Sequence, residues 1–244
     1  MEQAIGANHP NRNKVVNLII ALYFLVSTVE IVAEFLKDTN LVMCTKPLMM
    51  PLLAALYLYT SPKKNLFFLT ALLFTWTANM LFISKDFNYI ITGTLFFTAY
   101  RILIIYLVIK LVRVPGIFPL LIGCLPFLFI YLFVIALTYE DQQDGFWLFL
   151  LQGIFTIFFG GLSLGNYIFK SNKANTYLLI STMLFTFTQF LFVIRLFYVS
   201  LNIFQPLAML LYVAGQFMLY KFILIEENKL VRHQNISGIK QKSA

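Results

Sequence analysis

Four ionisable residues sit where this chain is otherwise apolar: Glu30, Glu34, Lys46 and Arg101. Each falls inside a run of about 20 apolar residues, long enough to cross a bilayer. A charge at that depth costs about 2.5–3.5 kcal/mol on insertion scales, so it turns inward and finds partners. Glu30 and Glu34 are four apart and share one helix face. At about 1.5 Å rise per residue, Glu30 lies roughly 6 Å deeper than Glu34. Lys46 enters from the same side on the next run, so a Glu34–Lys46 or Glu30–Lys46 pair is expected. Arg101 is mid-run, and its nearest available counter-charge is again the glutamate pair. Four uncharged polar residues join them: Asn79, Gln189, and the i,i+4 pair Tyr212 and Gln216. Glu30, Glu34, Lys46, Asn79 and Gln189 share the outer half of the membrane. Two readings stay open: charge pairs and hydrogen bonds that only fix helix packing, or one polar cavity that does chemistry.

The elements that position these residues follow from composition. Of 244 residues, 60% are hydrophobic and 11% charged, with a mean hydropathy of +0.83. Soluble domains carry about 25% charged residues, so a soluble enzyme is excluded and an all-α, polytopic transmembrane bundle is expected. Eight spans are predicted, at 15–36, 41–60, 66–83, 89–110, 116–138, 146–169, 176–197 and 202–224. A short arm, 1–14, precedes them. The polar tail 225–244 reads as a mobile, solvated segment able to touch anionic lipid. One integral-membrane domain covers 1–244.

Lysine and arginine orient the bundle. Thirteen lie on the arm, the even loops and the tail, against three on the odd loops: Lys37, Lys85 and Arg195. Asp38, Asp86, Glu140, Asp141 and Asp144 mark the odd side. Both termini are therefore expected in the cytoplasm of a multi-pass protein of the cell membrane. The net charge of +8 serves topology, and no nucleic-acid partner is expected. The first span contains Glu30 and Glu34 and lacks a small-residue cleavage site, so it reads as retained. Cys44 and Cys124, with His9 and His233 outside the spans, suggest no disulfide framework, metal or cofactor. The string LFTxT occurs at 73–77 and 184–188, each in the third helix of a group of four. That echo is either chance or the mark of two parallel four-helix repeats.

The most distinctive string is TKPLMMPLL at 45–53. Pro47 and Pro51 remove backbone donors early in a span, tolerable at this depth only where protein or water satisfies the freed carbonyls. Here the chain resembles the YhhN family of eight-helix membrane proteins, which includes the lysoplasmalogenases. TKPLMMPLL is similar to the family's KPL-type motif, with Ala33-Glu34 upstream. LLFTWTAN at 72–79, Gly93 with Phe97, LFTFTQ at 184–189, and Tyr212 with Gln216 resemble its later motifs in order. The resemblance implies a lysophospholipid ligand and cleavage of a vinyl ether bond, giving a fatty aldehyde and a glycerophospho-alcohol.

The departures bear on activity. Family members have aspartates at the positions of Asn79 and Gln189, a histidine at Arg101 and an alanine at Gly215. Vinyl ether hydrolysis protonates the β-carbon and needs a carboxylic acid to supply the proton. Amides cannot do so, and arginine does not replace a titrating histidine. That leaves Glu30 or Glu34 as proton donor, beside cations that favour the ionised form, with Asn79 and Gln189 at the family's catalytic positions. Lys46 or Arg101 would bind phosphate, and Tyr212 and Gln216 would complete the substrate site. Three functions remain: a divergent hydrolase, a catalytically inactive lipid or lysolipid binder, and a small-solute or lipid transporter.

Overall fold

The computed structural model describes residues 10–84, 86–112, 114–138, 146–199 and 201–242. Lys85, Arg113, Glu140, Asp141, Asp144 and His9 lie outside the described residues. Among those described there are eight helices and no strand: α1 (Pro10–Leu36), α2 (Thr39–Thr60), α3 (Leu66–Leu81), α4 (Phe87–Leu111), α5 (Ile117–Thr138), α6 (Phe146–Phe169), α7 (Lys173–Phe197) and α8 (Phe204–Lys242).

Turn chemistry sets the boundaries. The Asp38, Asn65, Asp86 and Asn172 side chains accept hydrogen bonds from backbone N–H groups in the first turns of α2, α3, α4 and α7, satisfying donors with no partner inside the helix. α1 ends at Lys37, in the left-handed region at φ 57°. The next N–H, of Asp38, donates back to Ala33 at 3.0 Å, which closes the helix in a Schellman-type turn.

Among the described residues, seven helices are long and apolar enough to cross a membrane. α3 has 16 residues, about 24 Å of rise, short of the roughly 30 Å hydrocarbon core. Its ends nevertheless lie at opposite faces of the bundle. The Asn65 N–H donates to Tyr57 Oη at 2.7 Å, beside the buried Glu227. Phe82 and Ile83, just past its other end, line one cavity with Lys37 and Thr39 of the α1–α2 turn at the far face. The chain therefore alternates faces through α3. The expected span 66–83 is shortened because Phe82 and Ile83 form a turn.

Consecutive helices pair as antiparallel hairpins, α1–α2, α3–α4, α5–α6 and α7–α8, and α8 also packs on α1, α2 and α4. The main core is built from Tyr23, Met49, Leu53, Tyr57, Phe68, Tyr100 and Phe222, all buried. Where α5 meets α6, a Cβ on Gly123 would come within 3.2 Å of the Gly161 Cα, so glycine is what lets these backbones approach. The four-plus-four echo extends to packing in part: α4 packs on α6 as α8 packs on α2. It breaks at α1, which packs on α8, whereas α5 packs on α7.

The second proline of α2 is answered by a side chain. Pro51 has no N–H for the Pro47 carbonyl one turn back, and Trp76 Nε1 of α3 donates to that oxygen at 2.9 Å. Indole thus replaces the missing rung.

The reading of 225–244 as a solvated tail is corrected at its start, although Asn228, Lys229 and Leu230 are exposed. α8 continues through Lys242, and Glu227 is 1% exposed. Its carboxylate accepts from Tyr57 Oη and Ser61 Oγ, each at 2.6 Å. The Ser61 Oγ also accepts from the backbone N–H groups of Lys63 and Lys64. A polar stretch looks solvated in sequence, but this carboxylate finds a buried set of hydroxyl donors in the α2–α3 turn.

Candidate functional site

The carboxylates of α1 and the lysine of α2 meet as depth counting predicts. Lys46 Nζ lies 2.6 Å from Glu34 Oε1 and 3.4 Å from Glu30 Oε1. Thr45 Oγ1 donates to the other oxygen of Glu30. Glu30 and Lys46 are essentially inaccessible, while the Glu34 side chain is 15% exposed. Gln205 of α8 donates to Glu34 Oε1 at 3.2 Å, and Arg195 of α7 donates to Gln205 Oε1. A continuous polar chain thus ties four helices together at one end of the bundle.

This chain borders a cavity of about 510 Å³. Its rim carries Lys37, Thr39, Ser84, Arg195, Asn202 and Gln205. Its interior is walled by Phe97, Phe149, Phe185, Phe192 and Met209, with Asn79, Thr94, Gln152, Gln189 and Tyr212 as polar groups. The Asn79 Nδ2 donates to Tyr212 Oη at 2.9 Å, and Thr75 Oγ1 pairs with the same hydroxyl at 2.8 Å. Gln152 Nε2 is held by the Thr94 carbonyl and Thr98 Oγ1, each at 3.0 Å.

Arg101 does not reach the glutamates, which corrects the expected pairing. It is 1% exposed and, among the described residues, has no carboxylate within salt-bridge range. Its guanidinium donates to Thr156 Oγ1 at 3.2 Å and Gln189 Oε1 at 3.5 Å, between the rings of Phe97 and Phe185 at 5.5 and 5.9 Å. The aromatic faces supply the negative potential that the glutamates do not. Because arginine offers only donors, it fixes the Gln189 amide with its oxygen toward the guanidinium.

Of the eight residues read from sequence, Glu34, Lys46, Asn79, Gln189 and Tyr212 line this cavity. Glu30 stands behind Lys46, and Arg101 behind Gln189. Gln216 is one turn from Tyr212, where its Oε1 accepts from Tyr100 Oη at 3.1 Å. Sequence reading missed Lys37, Gln152, Arg195 and Gln205. Gln205 lies seven residues before Tyr212, on the stripe that continues to Gln216, a spacing that flags it. Arg195 shares a face with Gln189 and Phe192 but counted only as a loop charge. Among the described residues no group of three His, Cys, Asp or Glu is close enough to hold a metal ion.

A family model described as the YhhN family matches residues 41–223. No curated protein and no solved structure matches the chain.

Proposed function

The chain belongs to the YhhN family, and from that premise we propose that it is a multi-pass membrane protein that holds a lysophospholipid in this cavity without cleaving it. The carrying observation is the acid inventory of the wall. Glu34 is the single carboxylate among the described lining residues, and it is engaged by Lys46 and Gln205. The positions matching the family's aspartates carry the amides of Asn79 and Gln189.

The shape suits a single-chain amphiphile. A volume of about 510 Å³ falls in the roughly 300–1,000 Å³ range of small-molecule sites. Aromatic walls accept an alkyl chain, and the polar rim accepts a head group. Hydrolysis of a vinyl ether needs proton delivery to carbon followed by attack of water on an oxocarbenium ion. Asn79 and Gln189 can donate or accept hydrogen bonds but have no acidic proton to transfer. Glu34 is held by Lys46 at 2.6 Å and by Gln205 at 3.2 Å, so both partners would have to give way before it met a vinyl ether carbon.

A hydrolytic reading rests on one specific feature, the position of Glu34 on the wall. Aldehyde release from a lysoplasmalogen by the purified protein separates the two. The proposal expects no release above background together with saturable lysolipid binding. Release that Glu34→Gln abolishes would establish the hydrolase, and lipid movement across sealed liposomes without cleavage would favour a transporter.

A further inference from the structure

We infer that the rim of the cavity is a seat for a phosphate-class anion, formed by Lys37 and Arg195 rather than by Lys46 or Arg101; this rests on the lipid-binding reading above and names the part of the ligand that the rim selects. Lys46 is enclosed by two carboxylates, at 2.6 and 3.4 Å. Arg101 lies beneath Gln189 and does not line the cavity. Neither is available to an incoming anion.

The described acids of the same face are also engaged. Asp38 Oδ1 accepts from the N–H groups of Asn40 and Leu41. Asp86 Oδ1 accepts from that of Asn88. Glu34 is tied to Lys46 and Gln205. Lys37 and Arg195 remain: both line the cavity, and among the described residues neither has a carboxylate within salt-bridge range. The turn that ends α1 fixes the Lys37 backbone at the rim, and the Arg195 side chain is tied by its bond to Gln205. An arginine fork and a lysine point charge facing one cavity are the residue types that bind a phosphoryl group. Thr39, Ser84 and Asn202 stand at the same rim and offer donors for further oxygens.

The geometry orients the guest. Its anionic group stays at the rim while its chain passes Phe192 and Gln189 toward Phe185 and Phe97. An uncharged single-chain lipid fits the interior equally well but leaves the two cations without an anion. The seat therefore creates a preference for phosphate-bearing over neutral amphiphiles, and salt weakens it through screening.

The test uses the full chain purified in detergent, with lysophosphatidic acid, monoacylglycerol of the same chain length and inorganic phosphate as probes. Lysophosphatidic acid should bind roughly tenfold or more tighter than monoacylglycerol. In K37Q/R195Q that ratio should collapse to about one, whereas K37R/R195K should keep it and shows that loss of charge, not of fold, is responsible. K63Q/K64Q at the opposite face is the charge-matched control. A ratio unchanged in K37Q/R195Q, or lost equally in K63Q/K64Q, would overturn the seat and leave the lipid reading standing. Inorganic phosphate bound at the rim with neither lipid bound would keep the seat and overturn the lipid reading. No binding of any probe would remove both.

Discussion

Replacing Lys46 with methionine should be one of the most damaging single changes in the bundle. It keeps most of the side-chain volume but leaves two carboxylates facing each other without a cation. Glu30 and Lys46 are excluded from solvent, and the lysine sits 2.6 and 3.4 Å from its partners. Removing one member of a buried ion pair typically costs about 3–5 kcal/mol, because the remaining charge is stranded. Two stranded carboxylates about one helical turn apart add repulsion of roughly 2–3 kcal/mol at an effective dielectric near 20. Water reaching Glu34, whose side chain is 15% exposed, offsets part of that sum. The expected loss is therefore about 3–5 kcal/mol, read from reversible unfolding in mixed micelles. Glu30→Gln and Glu34→Gln added to Lys46→Met remove all three charges, and the triple variant should recover to within about 1–2 kcal/mol of the parent. A Lys46→Met loss under about 1 kcal/mol, or a triple variant no better than the single one, would refute this reading of the charges.

Trp76→Phe keeps an aromatic ring but removes the donor to the Pro47 carbonyl; it should destabilise the protein by about 1–3 kcal/mol. In the same unfolding assay Thr77→Ala, which removes only a bond within α3, should cost less. Glu227→Ala strips the acceptor from Tyr57 and Ser61 and should cost about 2–4 kcal/mol, while Glu227→Gln retains one acceptor oxygen and should cost less. Gly161→Leu places a Cβ against Cys124 Sγ and 3.1 Å from the Leu120 carbonyl; opening α5 from α6 should cost roughly 1–3 kcal/mol or block folding.

Much of the architecture was legible because a bilayer imposes a length rule on every helix. The meeting of Glu34 with Lys46 was legible for a related reason: two consecutive helices joined by a short turn place equal depths side by side. Arg101 shows where that reasoning stops. Depth along a helix says nothing about azimuth, and α4 turns Arg101 toward α6 and α7, where Thr156 and Gln189 meet it. Lys37 and Arg195 were counted as topology signals because residues at helix ends look solvated until the turns around them close over a cavity. Glu227 was hidden by its neighbours, since IEENKLVRHQ has the composition of an exposed tail. Its burial depends on Tyr57 and Ser61, some 170 residues away in the chain. The freed Pro47 carbonyl was foreseeable, but Trp76 as its donor was not, because nothing in the spacing pairs α2 with that side chain.

The account turns on a cavity that takes a lysophospholipid and leaves its vinyl ether intact. Native mass spectrometry of the purified protein after incubation with a lysoplasmalogen tests this most directly. The account predicts one lipid bound per chain, released at its original mass. A bare protein, or a bound species reduced to the glycerophospho-alcohol with free aldehyde in solution, would contradict it.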